Sequence, residues 1–292
     1  MVTIDRGIAG PLANRLSNGL AEVIDQMRAI EAGRGGFGGP ASTCPMPIGL
    51  NLLDEALPGG GLRRGAVHEW FGVAEADAAQ DTQQQCGGRG RWATDPHWSP
   101  PLCLLAHLAA AALSRTPEGD PSRWVVWIGA RVWPYPHLLA RRRDGPELLA
   151  RTFLIRTPDD VTRLWAIELA LRSAAGAVIA DGSRLDRAAT QRLQLAAESK
   201  GSLCILARPP GERTALSAAT TRWWVSSSPS TRTGPRWTVQ LLRCKGEQPA
   251  PGAVRPWTVE HDWATGDLGV LPHVADRSGK AADEPFRSAR TG

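Results

Sequence analysis

The stretch TPDDVTRLWAIELALRSAAGAVIADGSRLDRAATQRLQLAAESKGSLCILAR, residues 157–208, decides the fold. Thr157-Pro158-Asp159-Asp160 opens a helix, with a threonine cap, proline in the first turn and carboxylates at the positive end of the helix dipole. The helix runs to about Ala175. GAVIAD (176–181) is a short apolar strand closed by Asp181, DRAATQRLQLAAESK (186–200) a second helix, and SLCILAR (202–208) a second strand. Strands alternating with helices of this length build a parallel sheet covered on both faces.

Working outward towards the amino end, RTFLIRT (151–157) and RWVVWIGA (123–130) add two strands. Pro100 and Pro101 open LCLLAHLAAAAL (102–113), a helix apolar nearly all round and therefore buried. Before it, GLNLLDEALPGGG (49–61) is a short helix closed by glycines that leads into the strand AVHEWFG (66–72). Between them, residues 74–101 are Gln-rich, glycine-broken and without period, a flexible insertion. Towards the carboxyl end the helices stop. TRWWVSS (221–227), RWTVQLLRC (236–244) and VRPWTVEHDW (254–263) are strands joined by Gly/Pro turns, expected as antiparallel additions to one edge. The fold class is α/β: a largely parallel sheet flanked by helices, with antiparallel strands at its C-terminal edge. Residues 45–272 form this core.

Two segments lie outside it. Residues 10–31 set Leu12, Leu16, Leu20, Val23, Ile24, Met27 and Ile30 at helical spacing, one apolar stripe opposite Arg15, Glu22, Asp25 and Arg28. The linker EAGRGGFGGPAS (31–42) ties that helix to the core, so 1–44 stands as a separate N-terminal unit. The tail 273–292 carries no core-forming pattern.

Composition narrows the class. Apolar residues at 42% and charged residues at 22% exclude a wholly disordered or fibrous chain. A net charge of +5 permits an acidic partner without demanding one. Five scattered cysteines without a C-x-x-C read as reduced thiols, MVTIDRGIAG is no secretory signal, and Cys103–Leu113 is too short to cross a membrane, so a cytoplasmic protein is expected.

The chemistry of the strand ends is notable for what is missing. A phosphate-binding loop, G-x-x-x-x-G-K-[ST], would lie between Phe71 and Leu102, where there is no lysine. Lys200, Lys245 and Lys280 are the only lysines, and none completes the motif. WVVWIGARVWPYP (124–136) offers no carboxylate to orient a water. Gly72 and Asp181 are the candidates for a degenerate nucleotide site, and for Asp181 capping and turn formation in DGSRLD (181–186) is the simpler reading. Cys86, His97, Cys103 and His107 are four possible zinc ligands without a close cysteine pair, and a reduced thiol beside an ordinary buried histidine is the simpler reading. No metal or other cofactor is expected. The run Arg141-Arg142-Arg143 reads as a solvated helix face. Twelve tryptophans raise the question of base stacking. Trp124, Trp127, Trp223, Trp237 and Trp257 fall in strand patterns and belong to the core, which leaves Trp92 and Trp98 as the exposed anchors.

Residues 45–270 resemble the ImuA family, RecA-like proteins of bacterial mutagenesis cassettes. The resemblance rests on LNLLDEALPGGGLRRGAVHEW (50–70), RWVVWIGA, the run 157–209, AATTRWWV (218–225) and RWTVQLLRCKGEQP (236–249). It implies a RecA-like core without recombinase activity, a non-catalytic adaptor in damage-induced, error-prone translesion synthesis. The implied partners are an ImuB-type polymerase-like protein and an error-prone C-family DNA polymerase, with RecA and self-association as further candidates. Contact with DNA is expected to be indirect. RecA packs an N-terminal helix on its neighbour, so the resemblance points Leu16, Leu20, Ile24 and Met27 to a groove on a second protomer or a partner, with docking on the chain's own core as the alternative. The rival reading is a RecA-type ATPase or ATP-switch with a degenerate site around Gly72 and Asp181.

Overall fold

The computed structural model describes residues 45–74, 98–114, 124–140, 142, 144–173, 175–230, 234–246 and 255–271. The N-terminal stripe with Leu16, Leu20, Ile24 and Met27, most of the insertion, Cys86, Trp92, His97, Arg141, Arg143 and the tail lie outside the described residues.

Strand β1, Ala66–Phe71, is buried along its whole length because it sits at the centre of the sheet. In chain order follow β2 (Val73–Ala74), β3 (Trp98–Ser99), β4 (Val125–Ile128), β5 (Thr152–Ile155), β6 (Ala177–Asp181), β7 (Leu203–Arg208), β8 (Thr221–Ser228), β9 (Arg236–Cys244), β10 (Trp257–His261) and β11 (Leu268–Val270). The nine-stranded sheet runs β11-β10-β9-β8-β1-β7-β6-β4-β5, and β2 with β3 forms a separate small pair. From β5 across to β8 every pairing is parallel. From β8 outward to β11 every pairing is antiparallel.

The helices are α1 (Asn51–Glu55), α2 (Leu102–Ser114), α3 (Pro136–Ala140), α4 (Gly145–Ala150), α5 (Asp160–Arg172) and α6 (Arg187–Lys200). Strand alternation sends side chains to two cores. On one face Trp70, Trp127, Ile179, Ile205 and Trp223 pack with Leu53 of α1, Leu105 and Leu108 of α2, Leu139 of α3 and Leu148 of α4. On the other, Val67, Val126, Val178 and Leu206 meet Ile167 and Leu171 of α5 and Leu193 of α6. The apolar α2 is buried as its composition requires. Gln194 of α6 serves the start of β1 as a neighbouring strand would: its Oε1 accepts from the Val67 amide at 3.0 Å, and its Nε2 donates to the Gly65 carbonyl at 3.2 Å.

Three expectations need correction. The antiparallel edge begins one strand later than the sequence suggests, since β8 lies parallel to β1. The chain returns from β7 through a 3₁₀ turn, Pro210–Glu212, and further turns without regular structure, so no α-helix announces this crossover. Helix α5 is capped by Asp159, whose Oδ1 accepts from the Thr162 amide at 2.8 Å, not by Thr157. Thr157 precedes Pro158, and a residue before proline is pushed towards extended backbone. Arg142 is not a solvated face residue: its side chain is 9% exposed, pairs with Asp144 at 3.1 Å and donates to the Gly266 carbonyl at 3.2 Å.

His68 joins β1 to β8. Its Nε2 lies 2.9 Å from the Arg63 carbonyl and its Nδ1 2.7 Å from the Thr221 hydroxyl. A carbonyl only accepts, so Nε2 carries the proton and Nδ1 accepts from Thr221. Burial pulls the imidazole pKa down from 6.5 to about 4, against the pull of the Arg63 carbonyl. Between those values the unfolded chain binds the proton and the folded one does not. Stability from this group is therefore complete above pH 6.5 and falls as pH drops towards 4, by roughly 3 kcal/mol. Urea unfolding of wild type and His68→Gln across pH 4–7 checks it; parallel curves for the two would refute the assignment.

Candidate functional site

The carboxyl ends of β1, β4, β6 and β7 carry most of the buried charge. Gly72 follows β1, and its amide donates to the Arg208 carbonyl at 2.8 Å. The β2–β3 pair brings Trp98 and Ser99 down onto it, so close that a first side-chain carbon at position 72 would overlap the Trp98 ring and the Ser99 carbonyl. Only glycine admits this approach. Trp98 is 4% exposed, and the Arg131 guanidinium lies over its ring, 5.4 Å from the centroid. Trp98 is therefore a core residue and not an exposed anchor: pairing of β3 with β2 turns it inward.

Asp181 ends β6, and one carboxylate oxygen accepts from the Ser183 amide at 2.9 Å and from the Ser183 hydroxyl. This is the turn-forming task that DGSRLD suggested. Its other oxygen faces two arginines, Arg131 at 3.9 Å and Arg163 at 4.0 Å. Arg163, buried on α5, also pairs with Asp160 at 3.0 Å and donates to the Ser183 carbonyl at 2.6 Å. Gly72 and Asp181 are thus both at the strand ends, separated by β7, each engaged by a neighbouring side chain or turn.

Sequence reasoning missed the larger cluster beside them. Glu69 of β1, wholly buried, pairs with Arg208 of β7 at 2.6 Å and Arg222 of β8 at 2.7 Å, and accepts from the Ser217 hydroxyl at 2.7 Å. Arg208 pairs again with Glu212 at 2.6 Å and donates to the Leu185 carbonyl at 2.8 Å. Arg222 lies over the Phe71 ring at 4.9 Å. Burial works against the Arg208 cation, but Glu69 and Glu212 outweigh it and hold its pKa above the ordinary arginine value. With both Glu69 oxygens bound by cations, this carboxylate is a clamp across three strands rather than a free base. A signal was present: charges inside AVHEWF and LCILAR, strands otherwise apolar, have to be paired to be buried.

The zinc candidates take ordinary places where they can be seen. His107 Nε2 is 2.9 Å from the Ile48 carbonyl, and burial pushes the Cys103 thiol up to about 11. Among the described residues no cluster of three His, Cys, Asp or Glu has the arrangement of a metal site. Among them, too, no helix is long and apolar enough to cross a membrane.

Fold and strand ends together define an α/β protein on a mostly parallel mixed sheet, with arginine–carboxylate pairs packed at the strand ends. No family model matches the chain. It is similar to Protein ImuA from two strains of Caulobacter vibrioides, 27% identical over 276 residues in each case, covering 85% of this chain and 96% of the relative.

Proposed function

We propose that this chain is a non-catalytic, RecA-like accessory protein of damage-induced, error-prone translesion DNA synthesis. It acts as an adaptor with an ImuB-type polymerase-like protein and an error-prone C-family DNA polymerase in the cytoplasm, and touches DNA through them. The likeness to Protein ImuA across nearly the whole of that relative carries this reading. The strand ends support it: Trp98 sits against Gly72, where phosphates would need open backbone amides, and no lysine stands between Phe71 and Leu102. Leu16, Leu20, Ile24 and Met27 supply an apolar stripe for a second protomer or a partner.

Calorimetric titration of the purified chain with Mg-ATP is expected to show no micromolar binding and no turnover. Magnesium-dependent hydrolysis abolished by Asp181→Ala would instead establish the ATPase reading. Tagged protein from damaged cells is expected to co-purify with the two polymerase-type partners; recovery of neither would overturn the adaptor assignment.

A further inference from the structure

At the end of β1 away from Gly72, a cleft of about 310 Å³ opens between the 57–63 loop, the start of β8 and the end of β9. Two cations line it, Arg63 and Lys245. Both are exposed, and among the described residues neither side chain forms an ion pair or hydrogen bond. No described lining residue is acidic, while Pro45, Leu57 and Pro58 give it an apolar wall. The walls are fixed from behind. Met46 and Leu62 exchange backbone hydrogen bonds at 2.7 and 2.8 Å, and Gly61 lies so close to the Met46 carbonyl that no side chain fits there. His68 holds the Arg63 carbonyl and the Thr221 hydroxyl from beneath, and the Lys245 amide donates to the Thr220 carbonyl at 2.7 Å.

We infer that this cleft binds an acidic peptide segment of a partner protein, its carboxylates at Arg63 and Lys245 and an apolar side chain against Leu57 and the prolines. Charge complementarity selects an anion. Single-stranded nucleic acid is the poorer match, because no described lining residue is aromatic and bases need such faces to stack on. The inference rests on the adaptor reading only for the partner being a protein.

Fluorescence anisotropy of the full chain tests it with labelled poly-L-glutamate, and with labelled poly-dT in parallel. Wild type is expected to bind poly-L-glutamate. The double variant Arg63→Ala/Lys245→Ala should bind it roughly tenfold more weakly at an unchanged melting temperature, through loss of two partly screened charge contacts. A charge-matched control, Arg187→Ala/Arg213→Ala, should bind like wild type. Absence of binding by wild type, equal loss in the control, or a double variant that loses poly-dT but keeps poly-L-glutamate would each overturn the cleft assignment. Should polymerase partners still co-purify in that event, the adaptor reading stands without it.

Discussion

Replacing Glu69 with alanine should lower the unfolding free energy by about 3–5 kcal/mol, the cost of leaving the buried Arg222 without a carboxylate and Arg208 with Glu212 alone. Arg208 is wholly buried and Arg222 nearly so, and both lose their shared partner at once. Domains of this kind hold only about 5–15 kcal/mol in total, so the variant should unfold at much lower urea. Equilibrium denaturation measures the loss, and a midpoint within error of wild type would refute the clamp. Replacing Glu69, Arg208, Glu212 and Arg222 together by apolar residues of similar volume should cost less than the single change, because no orphaned charge remains.

The second large effect is expected at Trp223. Its ring stacks on Trp70 with centroids 4.9 Å apart and planes 7° from parallel, and meets Trp257 at 6.3 Å. Its indole N–H donates to the Thr221 hydroxyl at 2.8 Å, the same hydroxyl that serves His68. Trp223→Ala therefore opens a cavity at the sheet centre and loosens the polar contact beside it, a loss of about 3–5 kcal/mol. Trp223→Phe keeps a ring in the stack and should lose less than half as much. Thermal unfolding of the two variants checks the order; equal losses would mean that the hydrogen bond, not the stack, carries the effect.

The sequence made β6, α6 and β7 legible because each signal was local. GAVIAD is too apolar and too short for anything but a buried strand, and Asp186 caps α6 one residue before it begins, accepting from the Ala189 amide at 2.7 Å. Partnership across the sheet was less accessible. TRWWVSS shows a strand, but its direction depends on where the chain has travelled since β7, which no residue within it records. The same limit hid the clamp: Glu69, Arg208 and Arg222 look like separate charges until the order β7-β1-β8 sets them side by side. The turn partner of Asp181 is legible, because Ser183 follows it two residues along the chain. The partner that closes over Gly72 is not, because Trp98 comes after a long polar stretch and only the β2–β3 pairing turns it inward.

The central place of β1 has a consequence for how the protein is made. Glu69 and Arg208 are 139 positions apart, so the first sheet strand to leave the ribosome waits for both of its neighbours. At about 5–20 residues per second, that wait is roughly 7–30 seconds. Throughout it the nascent chain exposes AVHEWF, an apolar edge carrying an uncompensated carboxylate. Chaperone attention during synthesis should therefore fall on this segment, and should end when β7 and β8 arrive to enclose it.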